Sequence, residues 1–342
     1  MNIRFQRVFS DKTALRSFSS KILPVVDELS KKLNAVMVQT HTSWVLILDD
    51  MVYKIKKPVN FGFLDYSTLE KRLENCRREV ELNRRLCSWV YEDVVPISLV
   101  NGEYVIEDGS NPVEYAVKMK KIPEERLLKN MLDSISYEDI KSLAKHIANF
   151  HHRAEKKDDF GKIEVMKFNT DENFLQTEKY VGTTITKEDF TYIREKTEYF
   201  YGKNAELFQK RVRDGRIRDG HGDIRLEHVA FLPEGICVFD CIEFNERFRC
   251  GDVLNDMCFL SMELDLVGRE DLSKVYEQTY KEETQDEEFE IFLPFFKCYR
   301  AYVRGKVNSF LLDDPHYTDK GKAKDLASKL FKLARKYAEL IE

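Results

Sequence analysis

The sequence lacks most of what would send it to an unusual protein class. Its 14 glycines and 8 prolines in 342 residues exclude collagen-like and linker-type chains. No apolar run approaches the roughly 20 residues that span a bilayer. Met1-Asn-Ile-Arg-Phe-Gln-Arg is not followed by the apolar core of a secretory leader. A cytoplasmic protein with no membrane contact is expected. A net charge of −5 gives no basic footprint for nucleic acid, so none is expected as a partner. The seven cysteines, at 76, 87, 237, 241, 250, 258 and 298, include no paired C-x-x-C knuckles. They read as reduced core thiols rather than a zinc site or a disulfide framework. The phosphate motif G-x-x-x-x-G-K-[ST] is absent, which removes the P-loop enzymes, and G-x-G-x-x-G is absent as well.

What remains is an ordinary composition, 43% hydrophobic and 34% charged, with length enough for two lobes. The chain is organised around Arg218-Asp-Gly-His-Gly-Asp-Ile-Arg-Leu-Glu-His228, followed by two short apolar runs and Asp240. Residues 229–232 and 236–239 flank Pro233-Glu234-Gly235, which predicts a hairpin with a three-residue turn. Pairing Leu232 with Ile236 and counting outward sets His228 opposite Asp240, at the ~5 Å spacing of antiparallel partners. His228, Asp240 and the loop bearing Asp223 are then expected to converge. Facing carboxylates repel unless a cation lies between them, and a divalent metal holding a polyphosphate meets that demand.

The spacing His221-x-Asp223, His228, Asp240 resembles the catalytic loop and metal aspartate of the aminoglycoside phosphotransferase-like kinases, a branch of the protein-kinase-like superfamily. The resemblance spans about residues 36–262. It implies a bilobal α+β fold, with a small antiparallel β lobe carrying one main helix and a mostly helical large lobe. It also implies that Asp223 accepts the acceptor-hydroxyl proton, with Arg225 beside it in the catalytic loop, and that Asp240 holds Mg²⁺. The family usually has Asn where this chain has His228. Two roles are open for that histidine. It ligates metal through a neutral nitrogen, which favours Mn²⁺ over Mg²⁺, or it donates a hydrogen bond to Asp240 or a phosphate oxygen.

Before this block, residues 11–33 carry Leu15, Phe18, Ile22, Val25, Val26, Leu29 and Leu33 at helical spacing, predicting an N-terminal helical extension over 1–35. Strands are expected at 36–39, 44–48 and 51–56. The tip Thr40-His41-Thr42-Ser43 stands where a kinase places its nucleotide-covering loop. Thr42 and Ser43 there either meet phosphate oxygens or form a plain polar hairpin tip. Period-two alternation puts Val52, Lys54 and Lys56 on one face. Lys54 is preferred as the phosphate-binding lysine, because choosing Lys56 would set charged Lys54 against the purine. Ser67-Thr-Leu-Glu70 reads as a capping box opening a helix to about Cys87. Glu79 shares that helix's apolar face with Leu82 and Leu86, whereas Glu81 lies among Arg77, Arg78, Arg84 and Arg85. A carboxylate on an apolar face needs a partner, and Lys54 is the expected one; otherwise Glu79 lies solvated at the margin of the stripe. A hairpin turning at Asn101-Gly102 and a strand over 113–119 follow. Met119-Lys-Lys-Ile-Pro123 resembles the family's hinge, where the Met119 backbone takes the adenine edge, so the small lobe is placed at 36–119 and the large lobe at 120–342.

In the large lobe, Ile140, Leu143, Ile147, Phe150 and His151 mark an amphipathic helix, with His151 in the core and His152 exposed. Helical stretches near 170–182 and 187–212 lie within a 153–218 segment that resembles the family's substrate-contacting insert. After Asp240 there is no room for a long activation segment with an A-P-E anchor, which argues against a protein kinase. Glu243 reads as an accessory ligand or acceptor contact, and Asp256 resembles the aspartate that braces the catalytic loop. Phe292, Phe295, Phe296, Tyr299, Val303, Val307 and Phe310 form a stripe flanked by Arg300 and Arg304, taken as a solvated flank rather than an anion-binding pair facing the acceptor. The expected function is an ATP-dependent phosphotransferase moving the γ-phosphate to a hydroxyl of a small molecule, with nucleotide-binding residues Lys54, Glu79, Ser43, Met119 and His228. Its metal ligands are Asp240 and His228, and its cofactors ATP and Mg²⁺, or Mn²⁺ if His228 ligates. The alternatives are a nucleotide-binding pseudokinase serving as an interaction module and, ranked below it, a protein kinase. Nothing in the sequence speaks to oligomeric state.

Overall fold

The computed structural model describes residues 12–315 and 317–342, with side chains from residue 22 onward. Asp11 and the side chains of Leu15 and Phe18 in the expected N-terminal stripe lie outside the described residues. In chain order the elements begin α1 (Lys12–Lys32), β1 (Val36–Gln39), β2 (Ser43–Ile47), β3 (Met51–Lys56), α2 (Leu69–Cys87), β4 (Tyr91–Val100), β5 (Glu103–Ile106) and β6 (Pro112–Lys120). They continue α3 (Leu128–Met131), α4 (Tyr137–Arg153), α5 (Ile163–Thr177), α6 (Lys187–Lys203), α7 (Ala205–Arg213), β7 (Ile217–Asp219), β8 (Val229–Leu232) and β9 (Gly235–Val238). Last come α8 (Glu246–Arg249), β10 (Cys250–Asp252), α9 (Val253–Leu266), α10 (Glu270–Thr284), α11 (Phe289–Phe310) and α12 (Lys320–Glu339). No helix among the described residues is long and apolar enough to cross a membrane.

The chain divides into two compact units. One runs to Asn130 and takes in Val229–Glu246, and the other comprises Met131–His228 and Arg247–Glu342. The sequence boundary at 119/120 therefore stands eleven residues before the observed one, and residues 229–246 group with the first unit.

The first unit is built on a six-stranded antiparallel sheet in the order β1-β2-β3-β6-β4-β5. Alternation along β3 explains its two faces. Tyr53 and Ile55 point to a core made with Val25, Val26 and Leu29 of α1, Trp44, Leu46, Ile97 and Ala116. Val52, Lys54 and Lys56 fall on the opposite side. Helix α2 packs Cys76, Val80 and Cys87 with Val90, Tyr91, Val117, Ala230 and Cys237. Its N-cap is Thr68, whose hydroxyl accepts from Lys71 N, not Ser67, which bonds Asp65 instead. Asn101 and Gly102 take φ of 51° and 87° in the two-residue turn between β4 and β5, as the Asn-Gly pair requires.

Two corrections follow in this unit. The β8–β9 hairpin pairs Leu232 with Gly235 and Phe231 with Ile236, so its turn has two residues, Pro233 and Glu234. That one-residue shift removes the counting argument that set His228 opposite Asp240. Cys87 and Cys237 are joined in a disulfide, against the expectation of seven reduced thiols. They lie 150 residues apart in sequence, and the contact of the end of α2 with β9 brings them together.

The second unit is helical with one short ladder, β7 with β10. Ser136 and Asp139 form a reciprocal capping box that opens α4. The core is aromatic. Phe295 stacks on Phe200 at 4.2 Å between ring centroids, and Phe208 and Phe292 meet edge to face at 4.9 Å. Arg211 is buried against Asp252 and Asp286 and lies over the Phe292 ring. The α11 stripe holds as expected through Phe296, but Val307 is 40% exposed and Gly305 instead faces Phe331 of α12.

Candidate active site

Within the first unit, β3 supplies two lysines and α2 supplies the carboxylate they share. Lys54 Nζ lies 2.7 Å from Glu79 Oε1 and 2.8 Å from Asp240 Oδ1. Glu79 is fully buried, so the solvated-margin alternative fails, while 43% of the Asp240 side chain is exposed. Burial works against the Lys54 charge, but Asp240 and Glu79 outweigh it and hold the ammonium pKa well above its usual value. Burial likewise opposes ionisation of Glu79, and Lys54 and Lys56 overcome it to leave the carboxyl below its usual value.

Lys56 is 1% exposed and bonds the second oxygen of the same carboxylate, Oε2, at 2.6 Å. It also contacts Glu243, which in turn accepts the Tyr66 hydroxyl. Asp240 itself has a φ of 62°, a region non-glycine residues seldom occupy and one that concentrates at functional sites. Its backbone and its neighbours are pinned one after another. Asp240 N donates to the Tyr91 hydroxyl at 3.2 Å and Cys241 N to Asn83 Oδ1 at 2.9 Å, while Asn83 Nδ2 donates to Glu79 O at 2.8 Å. Phe244 then packs beside Phe61 on the cluster of Val59, Leu64 and Tyr66. Lys54 takes Asp240 Oδ1, and the exposed remainder of that carboxylate offers the kind of hard oxygen donor that Mg²⁺ would use.

Two further residues expected at the nucleotide are Ser43 and Met119. Ser43 is 1% exposed, its hydroxyl is buried, and its N–H donates to Thr40 Oγ1 at 3.0 Å, as does that of Thr42 at 3.3 Å. The tip is closed on itself and turns neither Ser43 group to the surface. Met119 lies near the end of β6, paired with Val52 on one side and Tyr91 on the other.

The second unit carries the loop 220–228, and α9 holds it from below. Asp256 accepts His221 N at 2.6 Å and Gly222 N at 2.8 Å, and His151 Nε2 lies 3.1 Å from it. Burial pushes the Asp256 carboxyl up, but the His151 contact, with His221 and Arg300, holds it far below the carboxylate range. Gly222 has φ of 86°, and its carbonyl accepts from Arg300 at 3.4 Å. Two turns further on, Glu263 accepts Arg225 Nε and Leu226 N, each at 2.9 Å. The loop thus rests on three side chains, Asp256, Glu263 and Arg300. Asp223, at the crest, is a quarter exposed on its side chain, with Arg225 3.8 Å away. His228 turns Nδ1 toward Asp223 O at 2.9 Å.

Arg300 is not a solvated flank. It is buried, donates to Asn255 O and Gly222 O, and lies over the Phe259 ring. Arg304 is also largely covered, and burial with Arg225 nearby lowers its pKa. Sequence reasoning set Lys56 and Arg300 aside and missed Tyr66, Asn83, Tyr91 and Glu263. For Lys56 a signal existed, since it lies two residues from Lys54 on the same strand face. For Arg300 the only signal was the stripe it borders.

No known protein-family model matches the chain. An uncharacterized protein of Mycobacterium tuberculosis H37Rv is 28% identical over 274 residues, 79% of this chain and 53% of that protein, and one from Mycobacterium bovis matches equally. The chain spans about half the length of the curated relatives it matches. Among solved structures, a choline kinase from Cryptosporidium parvum Iowa II superposes with a TM-score of 0.55 at 13% identity, covering 93% of this chain and 95% of its own. The GDP and kanamycin complex of APH(2'')-IIIa gives 0.51 at 11% identity, covering 90% and 98%. The gentamicin complex of APH(2'')-IIa gives 0.50 at 16% identity, covering 93% and 97%. The chain has the protein-kinase-like α+β fold that these small-molecule phosphotransferases share.

Proposed function

We propose that the protein is an ATP-dependent phosphotransferase whose acceptor is a hydroxyl group on a small molecule. The observation that carries this is the Lys54 ammonium, set between buried Glu79 and half-exposed Asp240 at 2.7 and 2.8 Å. A lysine so held keeps its charge and can meet polyphosphate oxygens as a fixed point cation. The fold shared with an aminoglycoside phosphotransferase and a choline kinase adds support, since those proteins act on small molecules.

In this reading Lys54 binds the α- and β-phosphates while Glu79 keeps it aimed. Asp240 holds Mg²⁺, which supplies charge neutralisation on the polyphosphate when bound. Asp223 orients the acceptor hydroxyl and takes its proton. The hydroxyl oxygen forms a bond to the γ-phosphorus as the bond from that phosphorus to the β,γ-bridging oxygen breaks, and ADP leaves with the electron pair. Asp256, Glu263 and Arg300 contribute by keeping the loop backbone rigid, because a misplacement of about 1 Å costs on the order of 100-fold in rate.

Calorimetric titration with MgATP tests the nucleotide half of the proposal. Lys54→Met and Asp240→Asn should each bind far more weakly than the parent. A parent-like dissociation constant in both variants would overturn the assignment. Binding without transfer to any hydroxyl compound in a broad screen would instead favour the pseudokinase reading.

A further inference from the structure

Lys56 has no place in that reaction, yet it is the most deeply buried cation of the first unit's cluster. Its ammonium meets Glu79 Oε2 at 2.6 Å, the Tyr66 hydroxyl at 3.3 Å, and Glu243. Burial opposes its charge, and Glu243 with Glu79 outweighs that and keeps it protonated. Stability alone does not call for this arrangement, because well-packed apolar side chains in place of a buried ion network are often neutral or stabilising. The geometry suggests another use. Glu79 spends one oxygen on Lys54 and the other on Lys56, so its carboxylate is fixed in both position and plane. Glu243 stands three residues past Asp240, in the segment that Tyr91 and Asn83 already pin at Asp240 N and Cys241 N.

We infer that Lys56 is a positioning residue. Through Glu79 it aims Lys54, and through Glu243 it fixes the stretch that presents Asp240, so one buried cation sets both halves of the polyphosphate grip. Lys56 does not touch the nucleotide; it holds the two groups that do. The inference rests on the proposed roles of Lys54 and Asp240.

The test uses the triple variant Lys56→Met, Glu243→Met, Tyr66→Phe, which replaces the buried polar groups by apolar ones of similar shape. Thermal melts and calorimetric titration with MgATP are read on the whole chain. A positioning role predicts MgATP affinity reduced about 10- to 100-fold, the usual effect of losing groups that orient ligating residues, in a variant that still melts cooperatively although below the parent, because Glu79 Oε2 loses Lys56. Parent-like affinity in the triple variant would overturn the inference, wherever it melts. Should the triple variant fail to fold, Tyr66→Phe decides, because it deletes one hydroxyl and leaves the ring. A severalfold loss of MgATP affinity supports the inference, and no change refutes it. Lys54→Met runs alongside. If it binds MgATP like the parent, the underlying assignment of Lys54 is wrong, whereas a weak Lys54→Met beside a parent-like triple variant condemns the Lys56 role alone. A parent that binds no nucleotide removes both.

Discussion

Two lysines answer burial in opposite ways, and the difference lies in what they face. Lys54 has two carboxylates within 3 Å and keeps its proton firmly. Lys306 on α11 bonds amide oxygens, Asn173 Oδ1 at 2.6 Å and Gln176 Oε1 at 2.8 Å, with no carboxylate in its hydrogen bonds among the described residues, and burial pulls its pKa from 10.5 to about 8. Because the folded value lies below the unfolded one, the unfolded chain holds the extra proton between about pH 8 and 10.5. The fold therefore carries the full penalty below pH 8, and the penalty fades as pH rises toward 10.5. It is on the order of 3 kcal/mol. Lys306→Met should raise the melting temperature at pH 7, and its advantage should shrink by pH 10. An advantage independent of pH would show that packing, not charge, is responsible. Lys56 is the opposite case. Lys56→Ala strands Glu243 and half of Glu79. It should cost roughly 3–5 kcal/mol in urea unfolding, the scale of breaking a buried pair.

At the scale of elements, what the sequence showed was whatever depends on local period. The β3 alternation gave the face of Lys54, and the position of Glu79 on the apolar side of α2 gave its partner. Register was less legible. Pro233-Glu234-Gly235 suits a two- or a three-residue turn, and the difference of one residue moves every pairing along the hairpin. The anchors under the loop 220–228 were legible at Asp256, which the family resemblance marked, and illegible at Arg300, whose contacts depend on how α9 and α11 pack. That packing gives a sharp expectation at Gly220. A Cβ there would stand 2.5 Å from Asp256 Oδ2 and 3.1 Å from Arg249 O. Gly220→Ala must displace the carboxylate that holds His221 N and Gly222 N. It should destabilise by about 1–3 kcal/mol and reduce phosphoryl transfer more than nucleotide binding. A fully active Gly220→Ala would show that the Asp256 anchor is dispensable.

At the scale of the molecule, fold class was readable through the resemblance carried by the spacing of His221, Asp223, His228 and Asp240, and local signals such as the Asn101-Gly102 turn agree with it. The Cys87–Cys237 disulfide was not readable, since no spacing rule links cysteines 150 residues apart. The acceptor was not readable either, because its recognition is a matter of surface shape, which local patterns do not encode. In the proposed phosphotransferase, Lys54 and Asp240 belong to one unit and Asp223 to the other. The most direct test of that proposal measures two quantities on Asp223→Asn, MgATP affinity by calorimetry and phosphoryl transfer to whichever hydroxyl compound the parent turns over in a metabolite screen. The proposed reaction predicts parent-like affinity with transfer reduced by at least a hundredfold, since on that proposal the variant loses the proton acceptor and keeps the groups that hold the polyphosphate. Undiminished transfer in Asp223→Asn would contradict it.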